Sequence, residues 1–217
     1  MSFKTLNVTI KGTSALMTHN GQLCDPLFPI TKSIKLLSSK RTKTDNDLLH
    51  LMQLETLGGM YPEKDLTIND DDPGYVVTDD GVKLTGDWGH CMIPESVIEA
   101  TLLAGAKKRK QGPLFKAGLR VLSPAYIMVD ETPVTVETVF NSRKHRITNK
   151  VKIGTSSIMR TRPIYPNWSL NFDVLIDDEV LNAEAVSNAT EIAGKMVGMA
   201  EWRPRYGSFT LEEIAVI

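Results

Sequence analysis

Basic side chains form the densest chemically active cluster in this sequence. Lys107, Lys108, Arg109 and Lys110 are consecutive, and Lys116 follows a Gly-Pro turn. Lysine and arginine bind the phosphates of nucleic acids with little regard to base sequence. The four consecutive bases also follow a predicted helix, whose C-terminal dipole favours positive charge. Phosphate binding and dipole stabilisation are therefore both open for this cluster.

A second group of bases lies between residues 143 and 162. Four of them occupy a polar loop between Asn141 and Thr148, where an exposed tip has nothing to pack against. The others recur at every second position in two segments with strand character, which puts both bases of a segment on one face. The members are Arg143, Lys144, His145, Arg146, Lys150, Lys152, Arg160 and Arg162. We predict that the loop tip and both strands bind a sugar-phosphate backbone.

Aromatic rings and cations are mixed near the end of the chain. Trp202 and Tyr206 lie beside Arg203 and Arg205. Aromatic rings stack on the bases of single strands. The same rings can instead belong to the core, with the arginines paired to nearby acids. We expect Trp202 in the core and leave both alternatives open for the arginines.

Charge is distributed very unevenly along the chain. The 217 residues carry a formal net charge of −1. Residues 105–162 hold 13 bases and three acids, a net +10, so the rest, with 12 bases and 23 acids, carries −11. A segment this basic can attract polyanions while the whole protein stays near neutrality. Alternatively, it is a solvated face balanced by acidic loops of the same or a neighbouring subunit.

The sequence offers little for an enzyme. Four histidines are scattered without metal-ligand spacing, and there is no P-loop, GxSxG or GxGxxG motif. The two cysteines, 67 positions apart, favour neither a disulfide framework nor a zinc site. We therefore expect no metal, no cofactor and no catalytic residue. The enzymatic alternative is RNA cleavage with His145 or His19 as a general acid or base.

The elements that must position these side chains follow the order strand, helices, strands, helix, strand. This order predicts an α+β fold with helices on one face of an antiparallel sheet, and the ferredoxin-like (RRM-like) unit is the simplest match. The predicted elements are strand 6–18, helix 94–108, strands 119–129 and 168–176, helix 182–198 and strand 206–214. We expect one domain, 1–217, with an acidic loop insertion at 61–89 and a basic β-hairpin at 130–165.

Local patterns add detail inside the two insertions and before them. Thr44 predicts a helix cap, with Asp47 three residues on. The acidic insertion is predicted to consist of loops with a small hairpin, because it contains Asp-Pro-Gly and Asp-Gly turns. Val134, Val136 and Val139 predict a short strand-like segment at the start of the basic hairpin.

Three stretches of the chain are distinctive together. They are IKGTSALMTHNG at residues 10–21, MRTRPIY at residues 159–165 with the strand that follows, and GMAEWRPRYGSF at residues 198–209. Together they resemble proteins of the RAMP superfamily, which includes the repeated backbone subunits of CRISPR effector complexes. The whole pattern also resembles uncharacterised phage proteins. The RAMP resemblance implies an RRM-like core, a hairpin "thumb" at 130–165 whose bases contact the strand, and protomers stacked along a single strand.

Three function classes remain open. The first is a non-catalytic protein that binds single-stranded DNA or RNA and oligomerises head-to-tail along it. The others are a RAMP-like endoribonuclease and a phage structural or assembly protein with a basic arm. Since we find neither a signal peptide nor a membrane span, we expect a cytoplasmic protein, in the bacterial host if phage-encoded, with no membrane partner.

Overall fold

The computed structural model describes residues 2–68 and 72–217. Their backbone divides into two compact units, each built from separate parts of the chain. Unit 1 comprises residues 2–17, 92–133 and 165–217, and unit 2 comprises residues 18–91 and 134–164. The predicted α+β class is confirmed, because antiparallel strands and helices occur together in the same chain.

An antiparallel sheet is the centre of unit 1. Phe209–Val216, Phe3–Gly12 and Trp168–Asp177 lie side by side in that order. Leu119–Val121 and Met128–Val129 both pair with the third of these strands, one near each end of it. This arrangement brings together strands that lie far apart in the sequence.

The sheet has one apolar and one polar face because its strands alternate. Leu6, Val8 and Ile10 are fully buried. Asn7, between two of them, donates to the Asp173 carboxylate across the pair at 2.7 Å. Trp168 and Phe172 are also buried. The apolar face therefore forms the core of unit 1.

Two helices pack in this unit against each other and near the sheet. Glu95–Lys108 buries Ile98 and Leu102, and Ala183–Ile192 buries Val186 and Ala189. The predicted helix 182–198 continues past Ile192 only as one wider turn, Ala193–Val197. The helix therefore changes its winding at Ala193 rather than continuing unchanged to residue 198.

Several predicted strands of unit 1 are shorter or interrupted. The strand 6–18 divides into Phe3–Gly12 and Leu16–Met17, since Thr13 and Ser14 instead donate their amides to the Ser208 carbonyl. The strand 119–129 is interrupted at residues 122–124, where Pro124 has no amide hydrogen for a ladder, and again at Ile127. Its pieces are Leu119–Val121, Ala125–Tyr126 and Met128–Val129. The final strand begins at Phe209, not at residue 206.

Unit 2 contains two longer helices and two hairpins. The helices are Pro29–Ser38 and Asp45–Gly59. The predicted cap is confirmed: Thr44 and Asp47 form a complete capping box at the start of the second helix. The hairpins are Tyr75–Thr78 with Gly81–Leu84, and Arg146–Ile153 with Ser156–Tyr165, of which only Tyr165 belongs to unit 1.

The predicted and observed secondary structures agree better for the acidic insertion than for the basic one. The acidic segment 61–89 has the small hairpin that was predicted, although Asp70 and Asp71 lie outside the described residues. The basic segment 130–165 is not a hairpin throughout. Val136–Asn141 is helical, because Thr135 accepts the amide of Thr138 and caps the turn. The prediction of a strand-like segment there was therefore wrong. The first strand of the hairpin begins at Arg146.

Two features are absent from the described residues. Within residues 2–68 and 72–217, no helix combines the length and apolar character that crossing a membrane requires. The same residues contain no group of three or more His, Cys, Asp or Glu side chains arranged to hold a metal ion.

Candidate nucleic-acid interface

The first basic cluster lies at the C-terminal end of the helix Glu95–Lys108 in unit 1. Lys107 and Lys108 occupy the last turn, and all four consecutive bases are exposed. Lys116, on the short helix Gly112–Gly118, is also exposed. At this position the bases can stabilise the negative end of the helix dipole or bind a phosphate. The geometry of the helix terminus alone does not decide between these two roles.

The cluster ends in a turn that holds a lysine in an unusual conformation. The Gln111 amide donates to the Ala106 carbonyl at 3.0 Å, and the Lys110 amide donates to the Lys107 carbonyl at 3.1 Å. This pair of bonds is a Schellman motif, whose left-handed position glycine normally fills. Here that position is Lys110, with φ of 60°. Left-handed backbone costs an L-residue about 1–2 kcal/mol, so stability does not account for a lysine at this position.

We therefore expect Lys110→Gly to stabilise the protein. The gain should be about 1 kcal/mol, because glycine adopts this conformation without steric cost. Urea denaturation measures this gain. Lys116→Gly is the matched control: it also removes a charge, but in a helix, so it should destabilise by about 1 kcal/mol. A Lys110→Gly protein no more stable than the parent would contradict this interpretation.

A groove in unit 1 unites this cluster with the cations near the chain's end. Its volume is about 570 Å³, and Lys107, Lys108 and Arg203 line it with Ala104, Met196 and Val197. None of the lining residues is acidic. Among the described residues, no carboxylate forms an ion pair with these three cations. Three uncompensated positive charges in one groove are an electrostatic site for a polyanion.

Trp202 is exposed, and the prediction that it belongs to the core was wrong. The residue is 40% exposed, although its side chain is large and apolar. The residue adopts φ of 54° and its carbonyl accepts the Tyr206 amide at 3.2 Å, a turn that holds the ring outside the core. The Tyr206 ring lies 6.2 Å from it, centre to centre. An exposed ring next in sequence to Arg203 offers a stacking surface for a base.

The two arginines of this turn are also exposed. Arg203 and Arg205 both lie on the surface of unit 1. The alternative that they pair with Glu201 finds no support among the described residues, where neither arginine forms an ion pair. Both side chains are therefore available to a ligand, and Arg203 is the one that lines the groove.

The hairpin of unit 2 does not present its four strand bases on a common face. Lys150 and Lys152 pair across the ladder with Met159 and Ser157, whereas Arg160 and Arg162 pair with Asn149 and Ile147. Directly opposed residues of an antiparallel ladder share a face, so the lysines and the arginines project from opposite faces. One ligand therefore cannot lie against all four bases on a single face, and binding of a sugar-phosphate backbone by both strands stays a prediction. Sequence spacing predicted each strand's alternation but not the register that joins the strands.

The predicted loop tip is also only partly exposed. Arg143 and Lys144 are exposed, but His145 is 1% exposed and its Nδ1 lies 3.0 Å from the Ile164 carbonyl oxygen. The prediction that His145 contacts nucleic acid was wrong, because residues 143–145 form a short helical turn that directs this ring inward. Arg146 is half-buried. Burial, assisted by the nearby Arg143, lowers the pKa of its guanidinium.

The arginine face of the hairpin is anchored by a residue that sequence analysis missed. Arg160 forms an ion pair with Glu55, whose side chain is 7% exposed. The other Glu55 oxygen accepts the Thr161 amide at 2.7 Å. Lys35 and His19 line a pocket of about 340 Å³ with Arg160 and Arg162. No local pattern marks Glu55 or Lys35, since each is an ordinary charged residue of a helix.

Comparisons with known proteins bear on the fold. No protein-family model matches the chain. No curated protein matches it either. A solved structure described as "Cryo-EM structure of the Type III-B Cmr-beta bound to cognate target RNA" contains a similar chain, with a TM-score of 0.50 and 12% identity. The alignment covers 99% of this chain and 61% of that one, so this chain spans about three-fifths of its length. At this identity the likeness concerns the fold alone.

Proposed function

We propose that this chain is a non-catalytic protein that binds single-stranded nucleic acid, RNA in the first place, through the groove of unit 1. The observation that carries the proposal is the meeting of Lys107, Lys108 and Arg203 in one groove without an acid. Cations so placed contact phosphates of any sequence. The exposed Trp202 supplies a ring on which a base of an unpaired strand can stack. Bases in a duplex are already stacked, so this combination favours single strands.

The architecture of unit 1 supports a RAMP-like, ferredoxin-like assignment within the same proposal. Strands Phe3–Gly12, Leu119–Val121, Trp168–Asp177 and Phe209–Val216 are the first to fourth of the core in chain order. In space the order is fourth, first, third, second, with a helix after the first strand and another after the third. This is the order of the β-α-β-β-α-β unit. The similar solved chain comes from a complex described as bound to target RNA, which is why RNA is proposed first.

The proposal is tested by titrating the protein with labelled 20-mers of single-stranded RNA, single-stranded DNA and duplex RNA at several salt concentrations. We expect single strands to bind more tightly than the duplex. The affinity for them should fall with a log–log slope of about 0.7 per phosphate contact. Equal or tighter binding of duplex would contradict the stacking argument. Shortened RNA products in the same samples would support the endoribonuclease alternative.

Self-association along the strand is the second element of the proposal. A chain with +10 in residues 105–162 and −11 elsewhere has complementary charges for head-to-tail contacts. We expect the mass measured by light scattering to grow when single-stranded RNA is added at low salt, and to fall at 1 M salt, where charge acts over only about 3 Å. A constant monomer mass under all these conditions would contradict self-association, and the protein would then bind nucleic acid as a monomer.

A further inference from the structure

Unit 2 contains a second basic site that is distinct in shape from the groove of unit 1. It is the pocket of about 340 Å³ between the helix Pro29–Ser38 and the arginine face of the hairpin. Lys35, Arg160 and Arg162 contribute cations to its wall, and His19 contributes an imidazole. Glu55 is the one carboxylate in the lining.

The lining of this pocket has more positive than negative charge. Three cations and one carboxylate give it a formal net charge of +2, with the imidazole counted as neutral. One oxygen of Glu55 pairs with Arg160, and the other accepts the Thr161 amide at 2.7 Å. Both oxygens therefore have fixed donors. The ion pair also fixes the Arg160 guanidinium, since its partner is almost fully buried.

The helix contributes hydroxyl groups on the same face as its cation. Thr31, Lys35 and Ser38 all line the pocket. Their spacing of four and three residues places them along a single face of the helix. The Thr31 hydroxyl donates to the Leu23 carbonyl at 3.3 Å and the Ser38 hydroxyl to the Lys35 carbonyl at 3.2 Å. The donors left for phosphate oxygens are therefore the ammonium and guanidinium groups that converge on this small volume.

We propose that this pocket binds a phosphomonoester, the dianionic phosphate of a mononucleotide or of the 5′ end of a strand. The net charge of the lining matches the charge of close to −2 that such a group carries at neutral pH, whereas an internal phosphodiester carries only about −1. A volume near the lower end of small-molecule pockets, about 300–1,000 Å³, suits one nucleotide better than a continuous strand. In its strand-end form the inference deepens the proposed function and rests on it, whereas the mononucleotide form stands alone.

The test uses the full chain and three probes: a 10-mer of single-stranded RNA with a 5′-phosphate, the same 10-mer with a 5′-hydroxyl, and 5′-AMP. We expect the phosphorylated 10-mer to bind about tenfold more tightly, because charge-assisted hydrogen bonds to one terminal group are of that size. Lys35→Gln should abolish this preference and any calorimetric binding of 5′-AMP. Lys32→Gln is the matched control, since Lys32 is an exposed lysine of the same helix outside the pocket.

Each outcome separates the possible sources of the phosphate. A preference for the 5′-phosphate without binding of 5′-AMP assigns the pocket to strand ends, and binding of 5′-AMP without that preference assigns it to free mononucleotides. The inference is overturned if neither occurs, or if whichever of them occurs persists in Lys35→Gln. If the unchanged protein binds neither 10-mer, the proposed function is contradicted. The 5′-AMP titration would still show whether the pocket binds a phosphomonoester.

Discussion

Replacing Lys107, Lys108 and Arg203 together by glutamine should weaken binding of single-stranded RNA about 100-fold at 0.1 M salt. Each phosphate contact to a single strand contributes a salt exponent of about 0.7, or roughly fivefold in affinity at 0.1 M, and three contacts multiply. The log–log salt slope should fall by about two in the same variant, and the two proteins should converge as the salt concentration approaches 1 M.

The control for this variant carries the same change in charge elsewhere. Lys32, Arg41 and Lys83 are exposed, and all three belong to unit 2 outside both basic sites. Glutamine at these three positions should leave the salt slope unchanged. An effect of equal size in both triple variants would mean that RNA responds to net charge and not to the groove.

The second large effect concerns a glycine that allows two helices of unit 1 to touch. A Cβ atom at Gly105 would lie 2.2 Å from the Ala189 carbonyl oxygen and 2.9 Å from the Ala193 Cβ. Both obstacles belong to the helical segment 183–197, whose backbone cannot retreat without losing its own hydrogen bonds. We expect Gly105→Ala to lower the free energy of unfolding by about 3 kcal/mol, the upper end of the usual cost of overpacking.

Gly21→Ala is the control for this substitution. A Cβ atom at Gly21 would meet no heavy atom within 4 Å, and the φ of this residue is not in the left-handed region. The change should therefore be close to neutral in urea denaturation. Gly105→Ala should also weaken RNA binding, because the helix Glu95–Lys108 carries two of the three groove cations. Equal stability of the two alanine variants would contradict the close helix contact.

The sequence predicted best where local chemistry decides the structure. The capping box of Thr44 and Asp47 forms as expected, because both hydrogen bonds join residues within one turn. The strand predicted at 168–176 likewise forms, as Trp168–Asp177, with every second residue buried. Such features are determined by residues close together in the sequence, so they form in the same way in different tertiary structures.

The errors arose where the sequence pattern is compatible with more than one structure. Val136 and Val139 are compatible with a strand or a helix, and the cap at Thr135 settled the choice. The opposed faces of the lysines and arginines depend on the hairpin register, which strand periodicity does not specify. Exposure of Trp202 depends on a turn with left-handed backbone. The sequence identified all three cations of the groove as candidates. It could not predict that they lie close together, because Arg203 is far from Lys107 and Lys108 along the chain.

The most direct test of the central claim is where single-stranded RNA touches the protein. RNA containing 4-thiouridine can be photo-crosslinked to the full chain and the modified peptides identified by mass spectrometry. Binding in the groove predicts that the main crosslinks fall on residues 199–207, at Trp202 or Tyr206, and that they decline in the Lys107, Lys108 and Arg203 triple variant. Crosslinks confined to unit 2, with none in residues 199–207 or around Lys107, would contradict it.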